Sequence, residues 1–537
     1  MQKKGSEDKL ERAAEMAVEQ LRRLKSPSKS DVQELKQRAA SNQGSLSIPR
    51  NSDLLKHLGP EDETLRRLLT IKAARNLSGV AVIAAMSSPA PCPPQAKCIY
   101  CPGGVAFGSP KSYTGTEPAA LRGSQNGYDS FREVRNRLEQ LEEIGHSTGK
   151  AELIVMGGTF LSFDPVYQEG FVKGLYEGLN GVRSSSLECA ITANETAVRR
   201  CVGLTFETRP DCLGTREVDL LLSYGATRVE IGVQILDNRV LRYVNRGHDV
   251  SQTAKAFKMA KDAGLKIVAH MMPGLPSSSV EKDLRSFRTL FEDERFRPDM
   301  LKIYPTLVVK SAPLFRLYEE GRYVPYTLEE TVELVAKVKE MTPPWVRIMR
   351  VQRDIPAYMI EGGVKASNLR ELAQRRLHEQ GKRCRCIRCR EVGIRSVSPR
   401  SFDAFRLDLL KYAGSGGEDF FLSYVDEDET IAGFARLRVP SPDLVRPEIG
   451  PGSAIIRELR VYGRLVDVGS RRADGWQHRG YGAKLMAEAE RIARSELGLE
   501  EILVTSAVGT RGYYAKLGYS RKGPYMSKRL SEGSPKV

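Results

Sequence analysis

No stretch of this chain approaches the roughly 20 consecutive apolar residues that a helix needs to cross a bilayer. Its opening segment, MQKKGSEDKLERAAEMAVEQLRRLK, contains no secretory apolar region. These absences argue against a membrane-spanning or exported protein and place the chain in the cytoplasm. Cysteine is sparse, nine in 537 residues, and six of the nine fall in two short clusters. That count excludes a disulfide-stapled secreted scaffold, and clustered thiols in a reducing compartment more often ligate metal. Acidic residues are in deficit, 67 against 83 lysines and arginines, which leaves a formal net charge of +16. Each phosphate that such a surface neutralises releases condensed counterions, so nucleic acid leads as the partner, with an unliganded basic surface as the alternative.

The balance of 41% hydrophobic and 28% charged residues is that of a globular protein. The length exceeds what one core supports and predicts two to four domains. Residues 1–75 alternate charge with helix formers, and Ser30 and Asp31 before VQELKQRAA read as a helix start. This basic helical region is either a nucleic-acid dock or a packed appendage. From Gly79 onward six apolar runs of strand length recur: GVAVIAAM, ELIVMGG, VGLTFETRP, RVEIGVQ, KIVAHMMPG and LKIYPTLV. Longer mixed segments separate them, which predicts an α/β fold whose parallel strands form a partial (βα)6 barrel over residues 76–365. Chemistry in such folds sits at the C-terminal strand ends, where Gly157, Gly158, Glu207, Gln234, His270 and Tyr304 fall. Residues 366–392 read as a basic, cysteine-bearing linker. Residues 393–537 read as a second α/β unit, with strands in TIAGFARLRV and AIIRELRVYG, a glycine turn HRGYGAKL opening a helix, and a strand, turn and short helix in EILVTSAVGTRGYYAKLGY.

Cys92, Cys98 and Cys101 follow the first apolar run in PAPCPPQAKCIYCPGG. A 4Fe-4S cluster needs soft thiolates on a loop able to wrap it, and three ligands leave one iron open. An open iron can chelate S-adenosylmethionine and pass an electron to its sulfonium, giving a 5'-deoxyadenosyl radical. A zinc knuckle completed by His146, or simply reduced buried thiols, is the other reading of the same spacing. MGGTF after the second run exposes backbone at Gly157 and Gly158 to a small polar ligand. Glu207, Arg209 and Asp211 of TFETRPD suit either S-adenosylmethionine contacts or an internal ion pair.

Gln477 to Ala483 fit the pattern Q/R-x-x-G-x-G/A at a helix start, where glycines admit a pyrophosphate to unpaired backbone amides. An unliganded glycine turn is the plain alternative. Cys384, Cys386 and Cys389 in KRCRCIRCREVG are spaced for one metal ion. Structural zinc takes four ligands, and His378 is the nearest candidate for the fourth. A metal-free turn whose basic flanks face RNA is the other reading. Cys189, Cys201 and Cys212 read as small buried hydrophobes, and His248 and His270 as structural histidines near strand ends.

CIYCPGG, SYTGTEP, VMGGTF, GLTFETRPD, VEIGVQ, HMMPGLP, LKIYPTLV, ELRVYG and GTRGYYAKLGY occur in this order. With them the chain resembles the family of the catalytic third subunit of Elongator, in its single-chain prokaryotic form, from about Ser78 to Leu530. The resemblance implies a radical S-adenosylmethionine domain joined to a GNAT-type acetyltransferase domain, with a 4Fe-4S cluster, S-adenosylmethionine and acetyl-CoA as cofactors; zinc is expected from the spacing of Cys384, Cys386 and Cys389 and not from the resemblance, since some members of the family lack that cluster. It implies that Lys150, Glu458, Leu459, Arg460, Val461, Gly480, Tyr481, Gly482, Ala483 and Tyr514 bind acetyl-CoA. Lys150, Tyr513 and Tyr514 then have catalytic roles beside the thioester, and Gly157, Gly158 and Glu207 serve S-adenosylmethionine. Five residues separate Cys92 from Cys98, a longer interval than radical enzymes generally show.

The implied substrate is the anticodon stem-loop of tRNA, modified to 5-carboxymethyluridine at wobble uridine 34. Residues 1–75 would dock the RNA, and Tyr113 and Tyr304 are candidates to hold the unstacked base. A homodimer is compatible with the sequence, and accessory Elongator-like subunits are not implied by it. Two other readings remain open: a protein lysine acetyltransferase with a structural or regulatory iron-sulfur domain, and a tRNA-binding scaffold that senses acetyl-CoA.

Overall fold

A computed structural model of the chain describes residues 2–45, 47–59, 61–70, 79–395, 404–462 and 480–530, with side chains from residue 8. Seven parallel strands follow one another across the first sheet: β1 (Val80–Met86), β2 (Lys150–Met156), β3 (Arg200–Thr208), β4 (Arg228–Gln234), β5 (Lys266–Met271), β6 (Met300–Ile303) and β7 (Arg347–Val351). β1 and β7 are its edges, so the sheet is an open, partial barrel. The first six strands are the six apolar runs. The seventh, RIMRV, adds one more; only Ile348 within it is fully buried, so it presents no apolar run.

The two faces of each strand have different chemistry. Leu153 and Val155 of β2, Val229, Ile231 and Val233 of β4, and Ile267 and Ala269 of β5 are fully buried against the helices. The alternate positions face the barrel interior. A closed barrel fills such positions with layers of branched apolar side chains; here Glu152, Arg228, Glu230, Lys266 and His270 occupy them.

The second sheet comprises β8 (Arg406–Gly414), β9 (Gly417–Val425), β10 (Ile431–Val439), β11 (Ser453–Val461), β12 (Glu501–Val504), β13 (Ser520–Lys522) and β14 (Tyr525–Arg529), in the order β13-β14-β12-β11-β10-β9-β8. β10, β11 and β12 match the expected strands. The hairpin of β8 and β9 was not foreseen: β8 is an edge strand exposed along most of its length, with Leu407 and Leu409 at the surface, whereas β9 carries the largely buried apolar run FFLSYV. β11 and β12 pair in parallel only from Ser453 to Ile456, after which β11 continues to Val461 paired with β10 alone. This divergence leaves one backbone edge of β11 unpaired by the sheet beside the helix Tyr481–Arg491.

At the N-terminus, helices Gln2–Arg22, Lys29–Asn42, Asn51–Leu55 and Glu63–Leu69 pack a small core of their own around Ala17, Leu21, Leu54 and Leu69. The second helix starts at Lys29, slightly earlier than expected. Ser28 is its cap: its hydroxyl accepts from Asp31 N–H at 3.3 Å, and the Asp31 carboxylate accepts from Ser28 N–H at 2.7 Å. The expected boundary near residue 75 lies outside the described residues, and that between 392 and 393 falls within the short helix Val392–Arg395.

A buried ionic network joins the two sheets. Asp299, immediately before β6, accepts two hydrogen bonds from Arg457 of β11 at 2.7 and 2.6 Å. Asp419 of β9 accepts from Lys261 at 3.1 Å, Arg438 at 2.9 Å and Arg457 at 3.0 Å, while Asp262 pairs with Arg438 at 2.6 Å. Arg436 bonds Glu458 at 2.8 Å. Four carboxylates thus meet four cations, and all eight side chains are buried. Burial alone would raise the acid pKa values. The neighbouring cations prevail, so Asp299 stays well below the ordinary range and Asp419 is lowered to about 2.

Asp299→Ala should leave buried Arg457 with Asp419 as its remaining carboxylate partner, at a cost of about 3–5 kcal/mol in urea denaturation at pH 7. Because the folded carboxylate pKa values lie below the unfolded ones, the stabilisation is complete above about pH 5 and is lost as pH falls toward about 2. Denaturation midpoints measured at pH 7 and pH 3 should therefore converge in the variant relative to the wild type.

Candidate active site

Two cavities open at opposite mouths of the barrel. One of about 410 Å³ lies at the C-terminal strand ends, lined by Met156, Glu207, Gln234, His270 and Tyr304 together with the cysteine loop after β1. The other, of about 720 Å³, lies at the N-terminal ends, where Val80, Lys150, Arg200, Arg228 and Lys266 face β11 and the helix Tyr481–Arg491. The sequence-derived residues sort cleanly between them. Cys92, Cys98, Cys101, Gly158 and Glu207 line the smaller cavity. Lys150, Glu458, Leu459, Arg460, Val461, Gly480, Tyr481, Gly482, Ala483, Tyr513 and Tyr514 all line the larger.

The cysteine loop rests on the turn after the helix Asn238–Tyr243: Lys97 N–H donates to Asn245 O at 3.2 Å and Ile99 N–H to Val244 O at 3.1 Å. Among the described residues, the thiols close enough to share one ion are those of Cys384, Cys386 and Cys389, within 4.8 Å of one another. Cys92, Cys98 and Cys101 are set wider, as a multi-iron cluster requires and a single zinc ion does not. His146, the alternative zinc ligand, does not line the cavity. Burial pushes the Cys92 thiol up, whereas at Cys98 the charge and hydrogen bond of Arg246 outweigh burial and lower it. The residues therefore fit a cluster held by three thiolates.

Around these thiols the remaining residues take definite roles. Arg209 and Asp211 form a bidentate pair at 2.9 Å through both contacts, so they are an internal ion pair. Glu207 accepts from the Tyr113 hydroxyl at 2.8 Å and still faces the cavity. Glu230 lies between Lys302 and His270, whose Nε2 is 2.7 Å away. Glu207, Glu230 and His270 also fall within 4.8 Å of one another, yet Lys302 already neutralises Glu230, which argues for a polar lining over a second metal site. The Tyr304 ring meets His270 edge-on at 5.4 Å. Gly158, at φ 93°, lines the cavity; Gly157, at φ 126°, packs against Ser87 and does not. Gln234 adopts φ 69° at the end of β4, a strained backbone of the kind that clusters at functional sites.

In the larger cavity the divergence of β11 from β12 leaves the backbone of Glu458 to Val461 facing the space. The Glu458 carboxylate is engaged by Arg436, so this residue offers its main chain. The helix Tyr481–Arg491 begins at Gly480, φ 82°, with its first amides toward the cavity, a geometry suited to a pyrophosphate. Gln477, His478 and Arg479, the first part of the glycine pattern, lie outside the described residues. Tyr514 is buried and its pKa is raised by burial; Tyr513 is 41% exposed and meets it edge-on at 5.2 Å. A Cβ on Gly482 would stand 2.8 Å from the Tyr513 hydroxyl, so glycine makes room for that ring.

Of the second thiol trio Cys384 and Cys386 are buried and Cys389 is half-buried, and the segment lies beside β7, with Ile387 N–H donating to Val346 O at 3.0 Å. His378 is not beside it: this residue is exposed on the helix Leu369–Glu379 and lies outside the thiol group. The helical phase that buries Leu369, Ala373 and Leu377 turns position 378 to solvent. Lys339 Nζ and Gln374 Oε1, each 3.9 Å from Cys389 Sγ, are the polar groups that approach instead. Of the other cysteines, Cys201 is buried and its thiol is pushed up to about 12, Cys212 is half-buried, and Cys189 is exposed, contrary to expectation. Cys189 sits in the first turn of its helix, after the cap Ser186, where the chain faces solvent. His248 is structural as expected, driven down to about 3 and kept neutral by burial and by the charge of Arg246.

Sequence reading missed Arg246, Glu152, Arg228 and Lys266. The last three share a legible signal, a charged residue at the inward parity of an otherwise apolar strand; Arg246 has none, because a loop carries it. Gly482→Ala should displace the Tyr513 ring and weaken acetyl-CoA binding about tenfold, or about 1.4 kcal/mol, by calorimetric titration, with thermal stability unchanged.

Comparison with known proteins agrees with this geometry. Residues 94–287 match the Radical SAM superfamily, 298–379 the Radical_SAM C-terminal domain, and 390–519 the Acetyltransferase (GNAT) family. The chain is 46% identical over 495 residues to the tRNA uridine(34) acetyltransferase of Methanocaldococcus jannaschii, covering 90% of this chain and 91% of the relative. It is 44% identical over 511 residues to Elongator complex protein 3 of Homo sapiens, covering 93% of each. The solved structure of archaeal Methanocaldococcus infernus Elp3 with an N-terminal deletion superposes with a TM-score of 0.75 at 42% identity, covering 84% of this chain and 99% of that one. The chain therefore belongs to the family of tRNA uridine(34) acetyltransferases and Elongator complex protein 3.

Proposed function

We propose that this chain joins the methyl carbon of acetyl-CoA to carbon 5 of wobble uridine 34 in tRNA, and that thioester hydrolysis leaves 5-carboxymethyluridine. The observation that carries this reading is the pair of cavities on one barrel. Arg228, at the larger cavity, and Glu230, at the smaller, are two positions apart on the inward face of β4, an advance of about 6.6 Å. A single charged layer thus separates a thioester site from a cluster site. Simple acetyl transfer would leave the cysteine loop and its cavity without a task.

Cys92, Cys98 and Cys101 would hold the cluster, with Glu207 and the backbone at Gly158 orienting S-adenosylmethionine. Together these groups would supply a hydrogen-abstracting 5'-deoxyadenosyl radical. Lys150 and the amides of Gly480 to Ala483 would bind the phosphates and acyl arm of acetyl-CoA, and the free edge of Glu458 to Val461 its pantetheine amides. The buried Tyr514 hydroxyl would donate to the thioester carbonyl, with Tyr513 packing its ring. Tyr113 and Tyr304 would hold the unstacked uridine, while Lys97, Lys111, Arg350 and Arg353 around the smaller cavity give the backbone phosphates cationic partners.

The division of labour we propose places RNA docking in residues 1–75, radical chemistry in 76–365, a zinc-bearing linker in 366–392 and acetyl-CoA binding in 393–537. The three convergent thiols support the zinc assignment. No helix among the described residues is long and apolar enough to cross a membrane, in keeping with a tRNA substrate.

Anaerobic incubation of the reconstituted chain with tRNA, S-adenosylmethionine and acetyl-CoA should yield 5-carboxymethyluridine by mass spectrometry of digested RNA, and Cys98→Ala should abolish it. Absence of the product with an intact cluster would refute the proposal; protein acetylation retained by Cys98→Ala would favour a lysine acetyltransferase. Tyr514→Phe keeps the buried ring and removes one hydrogen bond, so product formation should fall about tenfold, a loss of about 1.4 kcal/mol, with melting temperature preserved.

A further inference from the structure

Arg246 is the residue of the cluster cavity whose charge is least accounted for. It sits between Asn245 at φ 53° and Gly247 at φ 80°, two left-handed positions that fold the turn tightly under the cysteine loop. Its guanidinium is buried, with the residue 8% exposed. Nη1 donates to Cys98 Sγ at 3.5 Å, Nη2 to Gly232 O at 2.9 Å and Nε to His248 Nε2 at 3.1 Å. A Cβ on Gly232 would stand 2.6 Å from Nη2, so glycine on β4 opens the place where the guanidinium lies.

Among the described residues no carboxylate lies within 4.0 Å of Arg246, whereas neighbouring Arg209 has Asp211 in a bidentate pair. A guanidinium stays protonated at any physiological pH. Buried away from water it needs an anion, and its one sulfur contact is Cys98. His248, held neutral beside it, accepts a hydrogen bond and adds no counter-charge.

We propose that Arg246 is the fixed counter-charge of the iron-sulfur cluster, a positioning residue that donates to the Cys98 sulfur and raises the cluster's reduction potential. This rests on the reading that the first cysteine trio holds that cluster. Reduction takes one electron from a low-potential donor and adds one negative charge to the cluster, with no bond made or broken at Arg246. A buried cation and a hydrogen bond to a ligand sulfur favour the reduced form over the oxidised one, because hydrogen bonding and net charge at the sulfurs set such potentials. Burial also spares the interaction from salt screening. Arg246 thus lies on the side of Cys98 where it eases electron entry.

The test is a dithionite titration of the full chain, reconstituted anaerobically and read by electron paramagnetic resonance without S-adenosylmethionine, alongside iron and sulfide analysis. Arg246→Gln should lower the reduced-to-oxidised ratio at a set potential about tenfold, equivalent to about 59 mV for one electron. Arg246→Lys keeps the charge and should recover most of that shift. Gly232→Ala, which pushes the guanidinium off its seat without removing it, should shift the potential in the same direction and serves if Arg246→Gln does not load. An unchanged midpoint in a fully loaded Arg246→Gln or Gly232→Ala would overturn the proposal. So would failure of both variants to load when the wild type does, since Arg246 would then serve cluster assembly. A wild type without iron and sulfide would instead refute the cluster reading itself.

Discussion

Asp299 and Arg457, buried and held face to face by two hydrogen bonds, fix where the second sheet stands on the barrel. Around them Asp262, Asp419 and Glu458 meet Lys261, Arg436 and Arg438, so four carboxylates balance four cations at one buried seam. Such a network adds little net stability over an apolar interface of equal volume, but parting it would strand several charges at once. It therefore acts as a lock. Glu458 belongs to the seam through its side chain and to the larger cavity through its main chain, so the same ions that dock the sheet also shape that cavity.

A locked interface places the burden of communication on the barrel interior. The two cavities do not share a hinge between domains; they are back to back on the inward face of the same strands. Between them stand Glu152 with Arg228, and Glu230 with Lys302 and His270. Buried polar atoms of Thr205, Arg228 and Glu230 point into the same layer without hydrogen-bond partners. Apolar packing would have sealed the barrel; a layer whose hydrogen-bonding capacity is not fully spent within the protein is polar enough to receive water or substrate atoms.

Much of this was legible beforehand, for reasons that differ by element. β1 to β6 declared themselves because their outward faces are buried and apolar, as at Ala81, Ile83 and Ala85 of β1 and Val229, Ile231 and Val233 of β4. β7 did not, since Ile348 alone among its residues is fully buried; β8 is an exposed edge strand, whereas β9 does carry an apolar run, FFLSYV, that was not read as a strand. The residues expected to bind acetyl-CoA came from motif order, and the fold brings Lys150 of the first sheet and Tyr514 of the second to one cavity although they are far apart in sequence. Gly157 and Gly158 looked equivalent, but only the second faces the cavity. His378 was chosen by proximity in sequence, and helical phase turned it outward. Arg246 had no signature at all: a lone arginine in a loop becomes informative only when its distance to a sulfur and its missing carboxylate are known.

The central claim is that both cavities serve one reaction, with the acetyl methyl as the hydrogen donor. Acetyl-CoA deuterated at the methyl, supplied with S-adenosylmethionine and tRNA under anaerobic reducing conditions, tests it directly. The account predicts deuterium in the 5'-deoxyadenosine recovered by mass spectrometry, in step with modified uridine. Unlabelled 5'-deoxyadenosine formed alongside modified uridine would contradict it, because hydrogen would then have come from elsewhere than the thioester.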